Sequence, residues 1–189
     1  MNNNVFYQDW SFEQYGELVL PERFVKGFWK LAAYENMQAR LENSPFWQGE
    51  DPNGITDEGI HYLLEVGFRS DAGMPEAQLA PWYAGLIDNS GFTGLDPSDT
   101  MSSHSGWTES QDYSEAVRQT LAFAAAASRA ISDDVSFTMN ATKTIEGIFV
   151  TSNNVKGGTT GKLWSTAQFS TAPALVSGNV LTANYSLSD

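Results

Sequence analysis

Four short stretches in the last third of the chain alternate apolar and polar residues, and turn residues separate them. They lie at about 135–139, 144–151, 163–169 and 180–187. In the first, Val135, Phe137 and Met139 share one face while Ser136 and Thr138 share the other, the period-2 signature of a half-buried strand. Between the stretches stand 140–143, the glycine-rich 153–162 and a turn around Ser177, Gly178 and Asn179. Connections this short pair neighbouring strands antiparallel, because a parallel pair needs a crossover of a dozen residues or more. The expectation is a mainly β fold built as an antiparallel β-sandwich, Ig-like or jelly-roll-like.

The glycine-rich connection, with Gly157, Gly158, Gly161 and Lys162, superficially resembles a nucleotide-binding loop. Such a loop needs Lys followed by Ser or Thr at the opening of a helix, so that backbone N–H groups face the phosphates. Here Leu163 and Trp164 follow Lys162, and no helical stripe continues. The segment is read as the turn of a β-hairpin, where glycine supplies positive φ without steric cost.

The first quarter differs in character. Up to residue 52 the chain carries Phe6, Tyr7, Trp10, Phe12, Tyr15, Phe24, Phe28, Trp29, Tyr34, Phe46 and Trp47, eleven of its 24 aromatic residues (6 Trp, 7 Tyr and 11 Phe). Residues 1–20 keep neither period and read as an extended arm. After Pro21, a suitable first helical residue, Phe24, Phe28, Leu31, Ala32, Tyr34 and Leu41 recur at roughly helical spacing, which predicts a helix over about 21–42 ended by Asn43, Ser44 and Pro45. The chain is expected to divide near 51–54, into an aromatic arm and helix (1–52) and a β-sandwich domain (53–189). Phe6, Tyr7, Trp10, Phe12, Tyr15, Phe24, Phe28 and Trp29 are the candidate interface residues, because aromatic side chains offer large contact area at little entropy cost. The sequence leaves open whether they pack on their own domain or on a neighbour.

A second helix is predicted from Thr56, with Thr56 as cap, Asp57 and Glu58 at the positive helix start, and Ile60, Leu63, Leu64 and Phe68 as its stripe. The run 79–87 reads as a strand with Pro81 at its edge. The alanine-rich 115–131 is helical by propensity, yet strands around it can override propensity.

Charge excludes one class of partner. With 10 Lys and Arg against 23 Asp and Glu, the net charge is −13, opposite to what phosphate contacts require. The absence of cysteine removes disulfides and thiolate metal sites. No signal-peptide pattern or apolar run of spanning length is seen, so no membrane partner is expected.

Candidate chemistry is sparse. The two histidines, His61 and His104, belong to no nucleophile elbow. The Asp-rich 88–99 begins and ends with Asp, but carries Thr93 where a calcium loop has its glycine and lacks the twelfth-position glutamate; Asx turns are the preferred reading. The pairs Asp57-Glu58 and Asp133-Asp134 are read as caps. Trp82, Trp107 and Trp164 could stack on sugars, though tryptophans in a sandwich are more often core. No cofactor, metal or catalytic residue is assigned, and the chain is not expected to be an enzyme.

Residues 82–109 (WYAGLIDNSGFTGLDPSDTMSSHSGWTE), 137–142, 147–154 and 156–167 together resemble a group of small, poorly characterised structural proteins of tailed bacteriophages. The resemblance covers about 54–189. It implies a virion structural component with a β-sandwich, tilts 115–131 towards strands and a turn, and carries no catalytic residues. The resulting expectation is a capsid decoration or cement protein, bridging capsid subunits through its N-terminal arm. Its partners would be the major capsid protein or other virion proteins, it would be a homo-oligomer in the particle, and its location would be the virion. Alternatives are a neck or tail subunit (adaptor, tube or fibre attachment) and a host-surface carbohydrate-binding module.

Overall fold

The computed structural model describes residues 26–68 and 81–188. Ten strands and two short helices follow one another in these segments. They are β1 (Lys26–Tyr34), α1 (Met37–Leu41), β2 (Trp47–Ile55), α2 (Asp57–Phe68), β3 (Trp82–Asp88) and β4 (Thr108–Ser110). Then come β5 (Gln119–Leu121), β6 (Ala130–Thr138), β7 (Lys143–Thr151), β8 (Leu163–Gln168), β9 (Ala174–Leu175) and β10 (Val180–Ser188).

Among the described residues all the strand pairings are antiparallel and join into one sheet of order β4-β3-β7-β8-β2-β1-β10-β6, with β5 also on β3 and β9 on β7. The four alternating stretches of the sequence are β6, β7, β8 and β10. The sheet curls into a half-barrel, bringing its two edges towards each other: the backbone N–H of Ala122, just after β5, donates to the Asp133 carboxylate on β6 at 2.7 Å. The corner strand is β2, which pairs with β1 over residues 47–53 and with β8 only at Gly54 and Ile55.

The concave side holds the main core. Trp29, Leu31 and Ala33 of β1 point into it, as do Leu86, Val135, Phe137, Ile148, Leu181 and Tyr185. Trp29 and Tyr185 stack with ring centroids 4.5 Å apart. Alternation therefore continues across strands far apart in sequence.

Strand β1 corrects the helix expected over 21–42. Helical and alternating readings compete there, because Phe28, Leu31, Ala32 and Tyr34 fit one period while Trp29, Leu31 and Ala33 fit the other. Unbroken nine-residue pairing with β10 and a seven-residue pairing with β2 satisfy both edges of the strand. Pairing on both edges overrides a weak helical preference. Among the described residues of that stretch only α1 is helical, a single turn capped by the Asn36 side chain, which accepts from Ala39 N at 3.0 Å. Asn43 follows it in a left-handed conformation (φ 51°), so the chain reverses near the predicted Asn43 to Pro45 stop. Residues 51–54, expected as the dividing turn, lie inside β2. The part of the expected helix before Lys26, and the arm itself, lie outside the described residues.

The second helix forms as expected. Thr56 Oγ1 accepts from Gly59 N at 3.1 Å and donates back to the Leu163 carbonyl, so one buried hydroxyl both caps α2 and ties it to β8. Gly59 lets the helix sit directly on that strand, since a Cβ there would lie 2.4 Å from the Trp164 carbonyl oxygen.

Residues 115–131 are strand and turn. After β5, Ala127 and Ala130 exchange both backbone hydrogen bonds at 3.0 Å, with Ser128 and Arg129 at φ 50° and 64° between them. This is the two-residue turn geometry that follows the twist of a hairpin.

Candidate functional site

Three places gather polar or aromatic side chains, and two of them are spent on holding the fold. The first is the glycine-rich connection between β7 and β8, which is a hairpin loop as expected. Its centre is Arg118, fully buried. The guanidinium grips Glu109 with two hydrogen bonds, Nε to Oε1 at 2.9 Å and Nη2 to Oε2 at 2.7 Å. Its remaining donors reach the carbonyls of Asn153 and Gly158, both at 2.7 Å. Gly157, at φ 74°, turns its N–H onto Glu109 Oε2 at 2.8 Å. A carboxylate from the chain itself thus sits where a phosphate would have to bind. Lys156 is also turned inward, donating to the carbonyls of Tyr113 and Glu115 at 2.8 and 2.7 Å and lying 4.0 Å from the Tyr113 ring centroid. Burial and the nearby Glu109 charge push the Tyr113 phenol well above its ordinary range.

The second place is the long connection from β3 to β4, which covers the convex face of β3, β7 and β8. Met101 and Trp107 are buried with Ile87, Phe149 and Leu163, and Phe92 and Leu95 pack on the rim of that cluster. Leu86 and Ile87, and likewise Ile148 and Phe149, therefore bury opposite faces of the sheet, as their unbroken apolar runs require. The aspartates hold this cover in shape. Asp99 accepts from the Trp107 indole at 2.9 Å and from Asp96 N at 3.1 Å. Asp96 and Asp88 accept from Ser98 N and Ser90 N, at 2.8 and 2.7 Å, as Asx turns. The Ser98 hydrogen bonds hold the Asp96 carboxyl below its ordinary value. At Asp88, burial pushes the carboxyl up, but hydrogen bonds from Lys143 and Ser90 outweigh it and the net shift is downward. Lys143 bridges Asp88 and Asp112 at 2.8 and 3.2 Å, and the same bonds raise its pKa. His104 lies flat on Trp107, centroids 3.9 Å apart, with Nδ1 3.0 Å from the Trp107 carbonyl.

The other sequence candidates are dispersed. His61 is exposed on α2 and lies 3.4 Å from Glu65. Glu58 accepts from Leu163 N at 2.8 Å, and Asp134 from the Asn184 amide at 2.8 Å. Among the described residues no three His, Cys, Asp or Glu side chains gather into a metal-binding group, and no helix is long and apolar enough to cross a membrane. Trp107 and Trp164 are almost wholly buried and Trp82 is half-buried.

The third place is the open end of the half-barrel, and it is apolar. Strand registers put the start of β1, the end of β10 and the start of β6 in adjacent rows: Gly27 pairs with Leu187, which pairs with Ile131. Trp82, at the start of β3, faces Leu121 at the end of β5. A cavity of about 180 Å³ opens among them, lined by Tyr62 and Leu63 of α2 and by Trp82, Phe123, Ile131, Val150, Trp164, Tyr185 and Leu187. Tyr62 meets Trp82 edge-on at 5.4 Å, and Trp82 meets Trp164 at 5.8 Å. The polar tips at its floor satisfy each other. Tyr185 Oη accepts from Trp164 Nε1 at 2.8 Å and from Asn53 Nδ2 at 3.0 Å, and Ser165 Oγ lies 3.2 Å away. Burial pushes the Tyr185 phenol up to about 12. Beside this mouth, α2 turns Ile60, Leu63 and Leu64 outward, at 42, 37 and 53 % exposure. A helix stripe is normally buried against a core; here part of it faces out at the rim of an apolar cavity.

Of the eight candidate interface residues, Phe6, Tyr7, Trp10, Phe12, Tyr15 and Phe24 lie outside the described residues. Trp29 is a core residue, fully buried, and Phe28 is half-buried on the opposite face of β1. The mouth went unnoticed in the sequence because its lining comes from α2, β3, β6, β7, β8, β10 and the segment after β5. The one local signal was the stripe of α2 itself. Comparison of the chain with protein-family models, with curated proteins and with solved structures finds no match in any of the three.

Proposed function

We propose that this chain is a structural component of a tailed-bacteriophage particle, a decoration or cement protein that bridges capsid subunits through its N-terminal segment. In the same reading, the curled sheet is an Ig-like or jelly-roll-like sandwich, attachment is made by the N-terminal arm expected over residues 1–20, and the protein transforms no substrate. The observation that carries the reading is the apolar mouth with the exposed stripe of α2, at the end of the half-barrel where residue 26 enters the sheet. An exposed apolar surface of this kind is a place where another protein segment can dock. The charge of −13 supports it, since acidity keeps such a component soluble and away from packaged DNA.

The test mixes the purified chain with shells that lack it. Stoichiometric binding at a copy number matching the shell lattice, with added resistance to heat, is the expected outcome. Binding confined to one axial ring would move the protein to the neck or tail, and no binding to particles at all would refute the structural reading.

A further inference from the structure

We propose that in the free protein the chain's own N-terminal segment, residues 1–25, seats an aromatic ring in the apolar mouth, keeping its sticky side chains off other copies until assembly. The inference rests on the reading of this segment as an attachment arm and says where the arm is held beforehand.

Size comes first. The cavity of about 180 Å³ is lined almost wholly by apolar side chains, and an apolar cavity of roughly 150 Å³ takes up benzene in other proteins. The mouth is therefore the right size for one ring. Position comes second. The segment joins β1 at Lys26, which pairs with Ser188, while the next row pairs Gly27 with Leu187 at the cavity wall. The chain enters within one strand row of the seat.

Composition and reach complete the case. Residues 1–25 carry six aromatics: Phe6, Tyr7, Trp10, Phe12, Tyr15 and Phe24. Tyr15 lies 11 residues before Lys26, a span of up to about 36 Å when extended, so several rings can reach. A short tether gives a ring an effective concentration in the millimolar range. At micromolar protein the chain's own segment then outcompetes that of a second copy.

The chain has no cysteine, so engineered pairs report cleanly. Leu63→Cys at the rim is combined with Phe24→Cys or with Tyr15→Cys in the full-length protein. The control pairs each arm cysteine with Leu41→Cys, exposed on α1 at the opposite end of β1. Under mild oxidation, at least one rim pair should form an intrachain disulfide about tenfold faster than its control, as the local concentration requires. Disulfide-linked dimers through the same pair would assign the seat to a second copy and overturn the proposal. Equal rates for rim and control would show that the segment does not visit the mouth, and would overturn it too. Shell binding is scored separately, so a chain that cross-links yet ignores shells refutes the function and leaves this inference standing.

Discussion

Replacing Arg118 by Ala should be among the most damaging single changes in the protein. Its guanidinium, at 0 % exposure, makes four hydrogen bonds of 2.7–2.9 Å, two to Glu109 and one each to the carbonyls of Asn153 and Gly158. Without it, the Glu109 carboxylate stays buried with the Gly157 N–H as its remaining donor, and two loop carbonyls lose their partner. Breaking one side of a buried ion pair costs about 3–5 kcal/mol. For a chain of this length that corresponds to a fall in Tm of roughly 6–20 °C. The pair itself is a weaker contributor than this suggests, because most of the loss is the stranded charge. Arg118→Met combined with Glu109→Gln should therefore cost less than the two single changes added together, with a coupling of about 1–3 kcal/mol. Urea unfolding of the two single variants and the double variant measures it, and limited proteolysis reports whether 152–162 has come loose. An Arg118→Ala variant within about 1 kcal/mol of the parent, or strict additivity in the cycle, would refute the account of Arg118 as the clamp of the glycine-rich loop.

Trp107→Ala removes the central plug of the convex face and the hydrogen bond to Asp99. It should cost about 3–5 kcal/mol and make 89–107 the first site of proteolytic cleavage, seen by mass spectrometry of the fragments. Acid should weaken the same region. The folded Asp88 carboxyl titrates below its unfolded value, so its contribution is present above about pH 4 and is lost as pH falls through the folded pKa. Asp88→Asn should flatten that part of the stability–pH curve measured by urea unfolding, and an unchanged curve would show that the Lys143 bridge carries no such linkage.

What could be read locally was read correctly where one period dominated and a turn closed it. Val135, Phe137 and Met139 alternate with polar neighbours and do lie on one buried face. Thr56 caps the helix it was expected to cap, and the glycine-rich segment turns a hairpin. Asp96 and Asp88 make the Asx turns expected of their loop. Where two periods overlapped, as around Phe28 to Tyr34, the sequence had no means of choosing. Arg118 was equally opaque: inside an alanine-rich stretch it looks like a solvated helix residue. Its partners at 109, 153 and 158 come from segments up to 40 residues away.

The residues alone, then, settle a mainly antiparallel β chain with short turns, an acidic surface and one amphipathic helix, because periodicity and turn chemistry act over a few neighbouring positions. Tertiary structure decided the rest: that β1 is a strand, held by β10 about 150 residues downstream, and that Trp29 is core. It also decided that Glu109 meets Arg118, and that α2, five strands and the segment after β5 converge on one apolar mouth. Each of these depends on which distant segments share a sheet, and burial on a shared face is a property of the pair, invisible in either segment by itself.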